Sequence, residues 1–164
     1  MTSSSTSTIA SYAPAFFGLR ASRLTELIVE QGARYTKAEG IRTPVRGMST
    51  LLCLRQGPAT VTELAAELGV THAAVIKNAR MLESEGFIDR GEDPSDARRR
   101  PLSLTAAGRK AAEETAAFME LARQVYLEIF DEIGIDVHAG LVGMEAALAR
   151  SPLDERLKKC AGTE

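Results

Sequence analysis

The sequence predicts a mainly α-helical fold with one small β-hairpin, flanked by long helices at both ends. Three observations carry this. Apolar residues recur at steps of three, four or seven over residues 13–39 and again beyond residue 105, the period of an amphipathic helix. Between these stretches, Thr60 and Thr71 each open a short helical pattern, and Gly69 separates the two. After a turn-rich Gly91-Glu92-Asp93-Pro94-Ser95-Asp96, Leu102 and Leu104 alternate with Ser103 as in a half-buried strand.

In chain order, residues 1–12 form a Ser/Thr-rich tail. Residues 13–39 follow as one helix with Phe17, Ala21, Leu24, Ile28 and Tyr35 on a stripe, ended by Gly40. Thr43-Pro44 starts a short helix through Leu51, Leu52 and Leu54, broken by Gln56-Gly57-Pro58. Thr60-Val61-Thr62-Glu63 is a capping box, in which hydroxyl and carboxylate satisfy orphan backbone donors reciprocally. Gly69 stops that helix, and Thr71 caps the next, residues 72–84, which Gly86 ends. Residues 87–104 form the hairpin, with strands at Phe87–Arg90 and Arg99–Leu104. Pro101 cannot donate to a ladder, so its strand is expected at an edge or short of one bond. Thr105 caps a long helix with Phe118, Ala122, Val125, Ile129 and Ile133 on one face. Gly134 breaks it, and a last helix with Val137, Leu141, Met144 and Leu148 ends at Ser151-Pro152. Residues 154–164 read as a polar tail.

Apolar residues at 45% and charged residues at 26% are proportions of a folded chain. No apolar run reaches 18 residues, and the Ser/Thr start, Thr2 to Thr8, lacks the form of a secretory signal, so no membrane contact and a cytoplasmic location are expected. Cys53 and Cys160 cannot build a disulfide framework, and with His72 and His138 they make no metal cage. Neither a phosphate loop nor a nucleophile-base pair occurs, so no enzyme, cofactor or metal site is expected. The net charge is −2, but residues 42–110 carry 11 Lys/Arg against 8 Asp/Glu, and the remainder 9 against 14. Positive charge sits in the middle, between acidic arms.

Leu64 to Leu82 has the pattern of a helix-turn-helix. Ala65 is small where two helices cross, Gly69 tolerates the turn, and Val75, Ala79 and Leu82 anchor the second helix. Leu64, Leu68 and Val70 complete the expected core face, and Asn78 falls at its edge. With Val75, Ala79 and Leu82 inward, His72, Ala73, Ile76, Lys77 and Arg80 share the outward strip. Lys77, Arg80 and His72 suit base acceptors or phosphates, and Ala73 and Ile76 suit thymine methyls. The bland alternative is a solvated face. At the hairpin, Arg98, Arg99 and Arg100 suit a narrow, electronegative minor groove, and Asp96 is placed to orient Arg98. A protein-contact module of the same shape has no use for that cluster.

Asp96-x-Arg98 with Leu102-x-Leu104-Thr105-x-x-Gly108-Arg109 resembles the wing signature of MarR-type regulators. Gly57-Pro58, Glu63-Leu64-Ala65, Leu68-Gly69-Val70 and Leu82-Glu83-x-x-Gly86-Phe87-Ile88-x-Arg90 are similar to the same pattern. The resemblance covers residues 40–110, which implies a winged helix-turn-helix domain there. It further implies dimerisation helices at 13–39 and 105–153 and a homodimer on a palindromic double-stranded DNA operator. A repressor released by a small aromatic ligand is implied too, or, in the redox-sensing variant of the family, one switched at cysteine. Cys53, in the apolar Leu51–Leu54 helix, has the setting of an inert thiol, and Cys160 lies beside Lys158 and Lys159 in a polar stretch. The long helices carry more apolar face than a small core can cover, and such patches are unusual on a soluble monomer.

Overall fold

The computed structural model describes residues 8–91 and 100–162. The chain divides into two compact units, one through Ala117 and one from Phe118 onward.

The first unit begins with α1 (Thr8–Ser11) and a 3-10 turn, Ala13–Phe16, before α2 (Phe17–Ala38). The single helix expected over 13–39 is thus divided. Pro14 lies in the first turn of the 3-10 segment, where its missing N–H costs nothing, and the α-helical register starts only at Phe17. Gly40 ends the arm in the left-handed region, at φ 71°. The Thr43-Pro44 start signal yields a 3-10 turn, Val45–Gly47, and then α3 (Met48–Leu54).

The capping box at Thr60 forms as expected. Thr60 Oγ1 accepts from the Glu63 backbone N–H, and a Glu63 carboxylate oxygen accepts from the Thr60 N–H at 2.7 Å. It opens α4 (Val61–Leu68), and Gly69 closes it at φ 63°. Val70 departs from its expected core position. Its backbone N–H donates to the Ala65 carbonyl to complete the helix stop, while its side chain stays 42% exposed. Thr71 Oγ1 then accepts from Ala74 N–H at 3.2 Å and starts α5 (His72–Ser84).

The hairpin pairs β1 (Ile88–Arg90) with β2 (Leu102–Leu104) antiparallel, Ile88 opposite Leu104 and Arg90 opposite Leu102. Pro101 stands just before β2 and keeps only its acceptor role, taking a bond from Gly91 N–H at 2.8 Å. Of the two expected alternatives, an edge position or one missing bond, the edge is not left open at Leu102. On its far side Leu102 exchanges two bonds with Ala59, at 2.8 and 3.0 Å. The proline lies outside the ladder, so both sides of Leu102 can pair.

One core holds this unit together: Leu51 and Leu54 of α3, Leu64 and Ala65 of α4, Val75, Ala79 and Leu82 of α5, Phe87, Ile88 and Leu102 of the hairpin, and Ala111. Val75, Ala79, Leu82 and Leu102 have no exposed surface. Ala111 belongs to α6 (Ala106–Ile133), whose Gly108, Ala112 and Thr115 are also buried. The core therefore extends past residue 110, into the first turns of α6.

The second unit comprises the rest of α6, α7 (Val137–Arg150) and α8 (Leu153–Ala161). Asp136 caps α7 through Ala139 N–H at 2.8 Å. The expected polar tail is mostly helix. Asp154 and Glu155 in the first turn of α8, Lys158 and Lys159 in its last, and a left-handed Gly162 match the helix dipole and the helix stop. Arg156 ties α8 to α7 by donating to the carbonyls of Ala147 and Ser151. No described residue from Phe118 onward is buried, and Val125, Ile129, Ile133, Leu141 and Met144 are exposed. Among the described residues no helix is long and apolar enough to cross a membrane.

Candidate nucleic-acid interface

Helix α5 presents two opposite faces because its apolar residues fall at steps of three and four. Val75, Ala79 and Leu82 enter the core, which turns His72, Ala73, Lys77 and Arg80 to solvent. Ile76 is half-buried beside them, at the margin of the strip rather than its centre, and Asn78 is half-buried at the core edge as expected. Lys77 and Arg80 form no ion pair among the described residues, so their charge is directed outward. His72 Nε2 lies 3.3 Å from Thr62 Oγ1, joining the first turns of α4 and α5. The sequence suggested no such partner, since the two residues come together only through the left-handed turn at Gly69.

Of the expected hairpin residues, Arg100 is described and exposed, immediately before Pro101. Asp96, Arg98 and Arg99 lie outside the described residues. The structure also shows how the hairpin is fixed to α5. Arg90 Nε approaches Glu83 Oε1 at 2.6 Å. Thr105 Oγ1 donates to the Gly86 carbonyl at 2.7 Å and accepts from Gly108 N–H at 2.9 Å, so one hydroxyl closes α5 and opens α6. Arg109 donates to the Leu104 carbonyl at 3.0 Å. These residues were legible as a pattern, Glu83 to Arg90 and Thr105-x-x-Gly108-Arg109, but the contacts that explain it were not.

Cys53 is half-buried in α3, beside an open hollow of 370 Å³ that Glu67 also lines. Burial, and secondarily the Glu67 carboxylate, push its thiol pKa up. Cys160 is exposed on α8. Among the described residues no group of three or more His, Cys, Asp or Glu is arranged to hold a metal.

Comparison with known proteins agrees with this geometry. Residues 48–99, spanning α3 to the hairpin, match the MarR family. The chain is 27% identical over 106 residues to the uncharacterized HTH-type transcriptional regulator YwhA of Bacillus subtilis (strain 168), covering 65% of this chain and 74% of that one. The fold is shared with the transcriptional regulator BldR from Sulfolobus solfataricus, with a TM-score of 0.58, 23% identity, and coverage of 88% of this chain and 99% of that one. It is shared also with CouR from Rhodococcus jostii RHA1 bound to p-coumaroyl-CoA, with a TM-score of 0.56, 23% identity, and coverage of 82% and 92%. The MarR match falls on α3, α4, α5 and β1, the helix-turn-helix and the first strand of its hairpin, and over these elements the chain is similar to MarR-family and HTH-type transcriptional regulators.

Proposed function

We propose that the protein is a cytoplasmic repressor that binds a palindromic double-stranded operator as a homodimer and is released by a small aromatic ligand. The outward strip of α5 carries this reading. His72, Ala73, Lys77 and Arg80 are exposed on one face, with Ile76 at its margin, over a backing of Val75, Ala79 and Leu82 that has no exposed surface. A rigid, cationic helix face of this length fits the major groove, where Lys and Arg read guanine acceptors. The hairpin then reaches the adjacent minor groove with Arg98, Arg99 and Arg100, and Asp96 orients Arg98.

Dimerisation is supported by the arms. Phe17, Leu24 and Ile28 of α2 are exposed, as are Leu141 and Met144 of α7. Apolar rows of this kind are covered in a soluble protein, and a two-fold assembly also mirrors a palindrome. The ligand reading has one support, that a protein of this fold, CouR, is bound to p-coumaroyl-CoA.

Selection of bound duplexes from a random pool, followed by titration of the enriched sequence, tests the reading. A palindromic consensus bound far more tightly than its half-site is expected. A chain that enriches no sequence, or binds half-site and palindrome alike, overturns it.

A further inference from the structure

The turn Val45–Gly47 touches the arm on one side and the reader helix on the other. Toward α2, a Cβ on Gly32 would meet the Val45 side chain at 3.5 Å. The Arg46 guanidinium donates to both carboxylate oxygens of Glu26, at 2.8 and 2.9 Å. Toward α5, a Cβ on Gly47 would come within 2.9 Å of the Leu82 side chain and 3.0 Å of Met81. The backbone of the turn therefore rests directly on the helix that carries Lys77 and Arg80. Just upstream, the Arg42 guanidinium lies 5.6 Å from the centre of the Phe87 ring and 3.5 Å from Glu85, the residue that caps α5.

We infer that Arg46 and Glu26 are positioning residues, and that the turn between them and Leu82 is a strut carrying the placement of α2 to α5. In a two-fold assembly joined through its arms, such a strut sets the separation and angle at which two reader helices meet their half-sites. The inference rests on the dimeric operator reading above. The chemistry suits the role. The Arg46 Nη2 reaches both carboxylate oxygens of Glu26, a charge-assisted contact that holds the turn at a short distance from α2. The pair is also open to solvent, with side-chain exposures of 47% and 67%, so it adds little to folding stability. Its loss should loosen the joint and leave the reading head folded.

The test uses the full chain and its selected operator, with further duplexes whose spacer between half-sites is lengthened or shortened by one base pair. Wild type should show a sharp spacer optimum. Glu26→Gln and Arg46→Gln should each reduce that discrimination about fivefold, with half-site affinity and melting temperature unchanged. The charge swap, Glu26→Arg with Arg46→Glu, should restore the optimum. Single variants with the wild-type spacer profile overturn the inference and leave the operator reading intact. So does an equal loss on half-site and palindrome, or a swap as flat as the singles. A wild-type chain without any spacer optimum overturns both.

Discussion

Gly108 lies so close to Phe87 that a methyl group on it would overlap the Phe87 carbonyl oxygen. That oxygen also accepts from the Thr105 N–H at 3.0 Å, so backbone of α6 and backbone of the hairpin are in direct contact. The close approach is what seats Ala111 in one buried cluster with Ile88 and Leu102.

Gly108→Ala should therefore destabilise the protein. The displaced group is backbone, which cannot rotate aside, and overpacking of this kind costs on the order of 3 kcal/mol. Urea unfolding at constant m-value would show it as a lower midpoint. Thr105→Val, which removes the hydroxyl joining Gly86 to Gly108, should cost less, about 1 kcal/mol.

Reader and hairpin variants should separate in kind. Lys77→Ala and Arg80→Ala should change which bases are preferred, by roughly 1–3 kcal/mol for each lost base contact. Arg98→Ala should weaken binding broadly across sequences. The selected operator should also show log affinity falling linearly with log salt, and each lost phosphate contact should lower that slope by about 1. Affinity flat from low to moderate salt would count against a phosphate-gripping interface.

Local chemistry explains what the sequence reveals and what it hides. Thr60 with Glu63, Thr71 before His72, and glycines at 69 and 86 act within one turn of chain, so residue type alone marks those helix ends. Val75, Ala79 and Leu82 are legible as core because one helical period relates them. The grip of Glu83 on Arg90, and the pairing of Ala59 with Leu102, depend on how distant elements meet. No local period encodes that. Helix α8 was readable and missed: Pro152, the acidic first turn, the basic last turn and Gly162 are all helix signals, masked by the polarity of the segment.

The two thiols should differ in reactivity. Burial and Glu67 raise the Cys53 pKa, which leaves less thiolate at neutral pH than a free cysteine has. Maleimide should label the exposed Cys160 first, and Cys53 only slowly until the pH is strongly alkaline or the protein unfolds. Mass-resolved labelling reads the two sites separately. Rapid oxidation of Cys53 at neutral pH, coupled to loss of DNA binding, would instead favour a redox sensor. The raised pKa also carries a sign for stability. The neutral thiol is the folded form, so its contribution holds below the unfolded-state pKa and is lost as pH rises through the folded value.

Assembly is the prediction on which the palindrome depends. The unit that ends at Ala117 buries a closed core, whereas no described residue from Phe118 onward is buried. A fragment of residues 40–117 keeps the helix-turn-helix, the hairpin and the buried Ala111, Ala112 and Thr115; ending at 110 would cut into that core. It also removes the exposed Phe17, Leu24 and Ile28 and the whole row from Val125 to Met144. The full chain should be a dimer at micromolar concentration and the fragment a monomer, as light scattering over a dilution series would show. The fragment should keep its base preference on a half-site while losing the gain that a palindrome confers, because that gain comes from linking two reading heads. Its half-site affinity should change little, since α5 and its backing residues remain. A monomeric full chain, or a fragment that dimerises as tightly as the full chain, would show that the exposed rows of the arms do not join two subunits.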